Sequence, residues 1–244
     1  MKLIQLNIWQ GRLIKQAVRF LLREQPDIIC LQELSSSAIG DAGFLETNSL
    51  EQLKTALSVE YAAFAPRWNY DLMGVRAGYG NGILSRLPII GEETRFLHGV
   101  LNENFVFGRD YRFMTNAQRV KLSVAGKELE VFNHHGYYLP DPNGNETSKA
   151  GLENLAAWAG EYASPTILTG DLNVWPQSPA LQMLNSHFRN LITEHAIDST
   201  LSQLNFADVA CDYIFVNDQI KVQHFEVSEE LVSDHKALIL EFDI

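Results

Sequence analysis

Cysteine is almost missing from this chain of 244 residues: the two present, Cys30 and Cys211, stand in the apolar runs IICLQ and VACDYIF. Two thiols so placed make no disulfide framework. They read as small buried hydrophobes and point to a reducing compartment. Long apolar runs are missing as well. No stretch approaches the roughly 18 residues that a helical membrane span needs, and LIQLN after Met1-Lys2 is too short for a secretory leader. The expectation is a cytoplasmic protein with no membrane partner, and nothing in the sequence calls for an obligate protein partner.

Positive charge is scarce: 19 Lys and Arg face 30 Asp and Glu, for a formal net charge of −11. Such a chain is a poor candidate for gripping nucleic acid by phosphate neutralisation along a basic groove. A phosphate held through a bound cation is still open to it, because that needs only local carboxylates. Several catalytic signatures are also absent: G-x-S-x-G, C-x-x-C, H-E-x-x-H, G-x-x-x-x-G-K-[ST] and G-x-G-x-x-G after a strand. With no linker, short-period repeat or low-complexity tract, residues 1–244 read as one domain.

What is present begins with amphipathic helices. Residues 12–25 place Leu13, Ile14, Ala17, Val18, Leu21 and Leu22 on one face, and 49–58 offer Leu50, Leu53 and Leu57 behind a Ser49-to-Gln52 capping box. The segment 148–162 carries Leu152, Leu155, Ala156 and Ala159, and Ser178-Pro179 caps a helix with Leu181, Leu184 and Phe188. Between them DIICLQ, TILTG, DYIFV and KALILEF are apolar on both parities, as in strands buried on both faces. KELEVFNHH alternates instead, with Leu129, Val131 and Asn133 on one side, and AGKE before it forms a hairpin turn. GYGNG reads as a turn, with Asn81 pointing into any nearby site. An outline recurs: strand, helix, proline and buried strand, first from LIQLN to DIICLQE and again from LEVFNHH to TILTGD.

Polar residues gather at the strand ends. Apolar strands end at Asn7, Glu33, His135 and Asp171-Leu172-Asn173, while two others start after Asp212 and after Asp234-His235. If the first group runs toward one edge and the last two away from it, four carboxylates, two imidazoles and two carboxamides meet there. Hard oxygen ligands of this kind suit Mg²⁺ or Mn²⁺, and a His beside an acid makes an oriented base. Together they suit phosphoester hydrolysis by activated water.

The ordered set LNIW (6–9), LQE (31–33), GNGILSRLPI (80–89), NHHG (133–136), GDLN (170–173), DYIFV (212–216) and SDHKAL (233–238) resembles the endonuclease/exonuclease/phosphatase superfamily of DNase I-like phosphoesterases. The resemblance spans nearly the whole chain. It implies a four-layer α/β/β/α sandwich with two mixed sheets, built from two related halves, and divalent-metal-dependent hydrolysis with Mg²⁺ or Mn²⁺. It further implies Glu33, Asn7 and Asp234 at the metal, His235 as the base with Asp212 orienting it, and Asp171 positioning the attacking water. Whether His235 or Asp171 takes the proton is open. His135, chosen over His134, together with Asn173 and Asn81, would face the phosphate, and Arg119 would add a basic group.

LNIWQGRL lacks the N-G-x-R form of exonuclease III-type abasic-site nucleases. The expected reaction is therefore a phosphodiesterase or nuclease cleavage, with a small phosphomonoester such as a sugar or inositol phosphate as the alternative substrate and a non-catalytic binding module as the third reading. The stretch 95–118, with Phe96, Phe105, Phe107, Tyr111, Phe113, Arg109 and Arg112, reads either as a rim that stacks a base or as a buried hairpin. The same choice applies to Trp68, Tyr70, Tyr137, Tyr138 and Trp175.

Overall fold

The molecule is known from a computed structural model that describes residues 1–37, 48–72, 74–106 and 114–244, with the side chain of Leu72 outside the description. In chain order the strands and helices are β1 (Lys2–Asn7), α1 (Ile14–Glu24), β2 (Ile28–Ser37), α2 (Ser49–Leu57), β3 (Tyr61–Leu72), β4 (Val75–Ser85), β5 (Ile89–His98), β6 (Thr115–Val124), β7 (Lys127–His135), α3 (Glu146–Ala159), β8 (Thr166–Asp171), α4 (Gln182–His187), β9 (Arg189–Asn190), α5 (Leu191–Glu194), β10 (Asp212–Val216), β11 (Lys221–Val227) and β12 (Leu238–Asp243). They build two six-stranded mixed sheets, ordered β11-β12-β1-β2-β4-β3 and β5-β6-β7-β8-β10-β9. Helices flank the pair.

The outline repeat in the sequence is a repeat in space. β1 lies parallel to β2 across α1, and β7 lies parallel to β8 across α3. Each parallel pair is enclosed by antiparallel neighbours, β12 and β4 in one sheet and β6 and β10 in the other. The strands are buried on both faces because a helix covers one side and the opposite sheet the other. This also corrects the alternation expected of β7, where every residue from Leu129 to His135 is buried. Its outer side meets α3, with Phe132 set edge-on to Trp158.

Local details shift the predicted elements. α1 buries Ala17, Phe20 and Leu21, whereas Leu22 is 45% exposed. At about 100° per residue Phe20 falls three places after Ala17 on the core side and Leu22 turns toward solvent. The Ser49-to-Gln52 box does not form. Asn48 occupies the N-cap, and Ser49 Oγ instead accepts from the Ser35 amide at 2.9 Å, tying α2 to β2. α3 starts earlier than expected, at Glu146, behind an Asn145–Ser148 capping box. Ser178 does cap its segment, accepting from the Ala180 amide, although a 3-10 turn precedes α4.

GYGNG is no turn; it lies inside β4. Its glycines are there for close backbone approach. A Cβ on Gly80 would stand 2.1 Å from the Ala65 carbonyl oxygen, and one on Gly82 would stand 2.3 Å from Leu34 Cδ1. Beside Gly80 the β3–β4 register slips between Pro66 and Trp68, leaving Arg67 on a bulge.

Buried amides tie the two sheets together. Gln5 Nε2 donates to Gln32 Oε1 at 2.8 Å and to Asp212 Oδ1 at 2.9 Å. Gln32 Nε2 donates to Asn133 Oδ1 at 2.6 Å, and Asn133 Nδ2 reaches the Leu31 and Gly82 carbonyls. Buried polar groups are costly unless paired, and here the pairing crosses from sheet to sheet.

Candidate active site

Strand direction decides what meets at this edge. β1, β2, β7 and β8 all end there, whereas β10 and β12 run antiparallel to their neighbours and so start there. In register His135 stands beside Asp171, and Asp171 opposite Asp212. Asn7 stands beside Gln32, which places Glu33 one residue beyond the end of β1. At Glu33 the β2–β4 register is irregular and φ is 62°. Such a left-handed residue in a strand bulge re-aims its side chain.

The Asn7 amide bridges the two halves, donating to Asp171 Oδ2 at 3.1 Å and to Glu33 Oε1 at 3.4 Å. Its own oxygen accepts from the Trp9 amide at 3.0 Å. Trp9, Gln10 and Gly11 then follow with φ of 51°, 56° and 77°, a left-handed loop at the mouth of the site. Ser233 Oγ donates to the Asn7 carbonyl at 2.7 Å and contacts Asp234 Oδ1 at 3.2 Å, which fixes Asp234 beside Asn7.

His235 Nδ1 lies 2.8 Å from Asp212 Oδ2, and its Nε2 lies 3.8 Å from Asp171 Oδ2. Asp212 is fully buried. Its Oδ2 also accepts from Thr200 Oγ1 at 2.7 Å and its Oδ1 from Gln5, so the ring is aimed by a carboxylate that is itself held by the loop before β10 and by the opposite sheet. Burial works against a charge on His235, but Asp212 and Asp171 outweigh it and raise the pKa well above the usual histidine range. Burial, reinforced by Asp212, raises Asp171 to about 7 against the pull of His235.

Glu33, like Asp171 and unlike His235, is dominated by burial. Burial raises its pKa and Asp234 adds repulsion, with His235 and the Asn7 amide opposing. Its Oε2 is buried with no hydrogen-bond partner. The Tyr79 hydroxyl lies close to this carboxylate and to Gln10 without completing a bond to Oε2. An unsatisfied carboxylate oxygen beside a second acid and a carboxamide is a donor set suited to a hard divalent cation. Cys211, Asp212 and His235 also bring three ligand atoms within 4.8 Å of one another. That cluster suits a cation less well, since burial drives the Cys211 thiol pKa up and Asp212 is already saturated by Thr200, Gln5 and His235.

On the other side of Asp171, His135 Nε2 is 3.6 Å from Asp171 Oδ2 and its Nδ1 is buried without a partner. Burial, then Arg67, holds this ring neutral. His134 turns away from it, with Nδ1 2.8 Å from the Asn116 carbonyl, and burial lowers its pKa to about 4. Asn173, with φ of 56°, donates its backbone N–H to Asp171 Oδ1 at 3.0 Å and its side-chain amide to the Gly136 carbonyl at 3.3 Å. Asn81 is fully buried and donates to Asn116 Oδ1 at 2.9 Å, leaving its own Oδ1 unpartnered.

One expectation is corrected and one choice between readings is decided. Arg119 does not open a strand at the site; it lies within β6, pairs with Glu130 at 2.8 Å and covers the Tyr162 ring. Phe105, Trp68 and Tyr70 are not a free rim but are at least 93% buried, with Trp68 stacked between Tyr79 and Phe105 at 4.4 and 4.9 Å. Phe96 and Tyr137 are partly buried, and Tyr138 is exposed. Trp175 is partly buried and donates to Asn143. Phe107, Arg109, Tyr111, Arg112 and Phe113 lie outside the described residues.

Sequence reasoning missed Gln5, Gln32, Thr200, Tyr79 and Arg67. The glutamines break apolar runs at LIQLN and DIICLQ, which was the only available hint. Among the described residues no helix is long and apolar enough to cross a membrane.

Comparison with known proteins bears on the family and the fold. The family model described as Endonuclease/Exonuclease/phosphatase family matches residues 4–235. No curated protein matches the chain significantly. Among solved structures, a protein of that family from Bacteroides vulgatus is similar at 18% identity and TM-score 0.77, covering 100% of this chain and 98% of its own. A mannosyl-6-phosphatase from Bacteroides thetaiotaomicron is similar at 17% identity and TM-score 0.76, with 100% of both chains covered. TDP2 from D. rerio, solved with a single-strand DNA product, is similar at 14% identity and TM-score 0.72, with 100% and 99% covered. At these identities the structural likeness concerns the fold.

Proposed function

Because the chain belongs to the endonuclease/exonuclease/phosphatase family, we propose that it hydrolyses a phosphoester with a water activated at the joined ends of the two sheets, using a divalent cation, Mg²⁺ or Mn²⁺. The observation that carries this reading is the His235–Asp212 pair, 2.8 Å apart, facing Asp171 at 3.8 Å next to the unsatisfied Glu33 carboxylate.

Glu33, Asn7 and Asp234 would hold the cation, which when bound would neutralise charge developing on the phosphoryl oxygens. Asp212 fixes the His235 ring with Nδ1 toward itself, leaving Nε2 to face the reacting water. The water proton passes to Asp171 when His235 already carries its own proton, and to Nε2 when the ring is neutral. Asp171 is anchored by Asn7 and the Asn173 N–H, so it can orient water without moving. His135, kept neutral, and Asn173 would donate to non-bridging oxygens, with Asn81 behind them. The first reading of the substrate is a phosphodiester, as in a nuclease. The second, a small phosphomonoester, fits the net charge of −11, which weighs against long duplex nucleic acid.

The test is hydrolysis of an aryl phosphodiester and of the matching monoester with Mg²⁺, Mn²⁺ or a chelator. His235→Ala serves as the contamination control. Chelator-sensitive turnover that falls by about 10²-fold or more in the variant is expected. Turnover that survives both chelator and substitution would remove the mechanism.

A further inference from the structure

The loop that follows β1 stands at the mouth of the site and carries a cation with no acid beside it. Trp9, Gln10 and Gly11 all have positive φ, 51°, 56° and 77°. For a side chain as large as Trp this is a strained conformation, which lasts only where the surroundings over-determine it. They do so here. The Trp9 amide donates to Asn7 Oδ1 at 3.0 Å, and the Gln10 side chain bonds the Tyr79 hydroxyl that lies by Glu33. The Gly11 and Arg12 amides then donate to the Ile8 and Trp9 carbonyls at 2.9 and 3.1 Å. The loop is thus fastened to Asn7 directly and to Glu33 through Tyr79. Its last member, Arg12, is exposed, with the guanidinium carbon over the Trp9 ring, 4.6 Å from the centroid. Among the described residues that ring is the only partner of the guanidinium. Arg23, Arg76 and Arg189, at the surface of the same acid-rich chain, each hold a carboxylate.

We propose that Arg12, held over Trp9, binds a second anionic group of the substrate, a phosphate or carboxylate set apart from the reacting phosphoryl group. This rests on the phosphoester-hydrolase reading and narrows its substrate class to esters that carry two anions. Electrostatics supplies the reason. Glu33, Asp171, Asp212 and Asp234 gather at one edge. They repel any anion that reaches the mouth without a counter-charge of its own. Arg12 supplies that counter-charge. Its planar fork of N–H donors matches the oxygen edge of a phosphate or a carboxylate. Trp9 steadies the guanidinium through its ring face and leaves those donors open, which a carboxylate partner would not. The strained turn then fixes the spacing between two anion positions, one at the strand ends and one at Arg12. A neutral ring stacked on the loop is the competing occupant, and dependence on charge separates the two.

The experiment measures binding by calorimetry, with Mg²⁺ present, to wild type, Arg12→Lys and Arg12→Gln. Hexylphosphonate and three relatives serve as non-hydrolysable probes, the relatives bearing a carboxylate, a second phosphonate or a phenyl group at the far end of the same flexible chain. Both two-anion probes are expected to bind wild type about 10-fold or more tighter than hexylphosphonate, and Arg12→Gln to reduce that gap to less than about 3-fold. Arg12→Lys, which keeps the charge and loses the fork, should hold an intermediate gap. The tighter of the two probes identifies the second group as carboxylate or phosphate. A wild type without the gap, a gap that survives Arg12→Gln, or equal weakening of all four probes overturns the proposal. So does a phenyl probe that binds as tightly as the two-anion ones and loses as much in Arg12→Gln, since that would make the loop a stacking platform. Arg12 is exposed, so both variants should fold, and their melting curves check this. An Arg12-dependent gap in a protein that hydrolyses neither aryl ester keeps the anion site and removes the hydrolase reading. Hydrolysis without the gap does the reverse.

Discussion

The two parallel βαβ units share a plan and diverge at the position that matters. In β7-α3-β8 the second strand ends at Asp171, level with His135. In β1-α1-β2 the residue level with Asn7 is Gln32, and the acid comes one place later, on a bulge at φ 62°. That single step changes the chemistry. Asp171 stays in the ladder, 2% exposed, with hydrogen bonds from Asn7 and from the Asn173 backbone. Glu33 leaves the ladder, keeps a long contact to Asn7 with the Tyr79 hydroxyl nearby, and holds one oxygen without a partner. The register position that Asp171 holds in the second unit is taken in the first by Gln32, which ties the sheets together. One half leaves a carboxylate oxygen without a partner; the other holds its carboxylate with hydrogen bonds from the protein.

The comparison is broken most severely by neutralising each acid in turn. Glu33→Gln should lower turnover by about 10³-fold and raise the Mg²⁺ needed for half activity, because a ligand is lost. Asp171→Asn should cost about 10²-fold at an unchanged Mg²⁺ midpoint, because only water orientation and proton transfer suffer. Activity titrated against Mg²⁺ in both variants checks this, and a shared shift of midpoint would mean that the two acids do the same work.

A smaller effect comes from cutting the tie between the units. Asn133→Ala strips the donor from the Leu31 and Gly82 carbonyls and the acceptor from Gln32. Leaving such buried groups unsatisfied should cost about 2–4 kcal/mol, read as a shift of the denaturant midpoint at constant m-value. A loss below about 0.5 kcal/mol would show that the tie is replaced by water or repacking.

The smallest effect sharpens the comparison at the preceding residue, where β1 has Leu6 and β7 has His134, both buried. His134 is neutral in the fold, with its pKa lowered to about 4, while the unfolded chain takes up a proton near the usual value of about 6.5. Below that point the unfolded state binds more protons, so the stability present above about pH 6.5 is lost as pH falls toward 4, by at most about 1.4 kcal/mol per unit for this one group. Denaturation of wild type and His134→Gln across pH 7 to about 4.5 should show the shallower slope in the variant. Parallel slopes would assign the acid sensitivity elsewhere.

Much of this was legible in the sequence because strand ends are written in residue types. Asn7, Glu33, Asp171, Asp212 and His235 each follow or precede an apolar run, and the antiparallel or parallel sense of the strands carries them to one edge. The bulges at Glu33 and Arg67 were not legible, since an extra residue in a ladder leaves no trace in hydrophobic periodicity. GYGNG misled for a related reason. Glycine marks both turns and places where strands press together, and only the neighbouring Ala65 and Leu34 show which applies. The inter-sheet glutamines were silent because their partners are more than 20 residues away along the chain, Asp212 more than 200.

The bridge from Gln5 to Asp212 has a consequence for how the protein comes alive. Asp212, which holds the His235 ring, is itself bonded by Gln5 of a strand made some two hundred positions earlier, and β12, which follows His235, pairs with β1. Contacts this distant in sequence close late, after local hairpins and helices have formed. Neither sheet alone contains a working centre. A refolding population would therefore regain its helical signal first and its turnover only when the two slabs lock face to face. The return of activity would then time their docking, not the folding of either one.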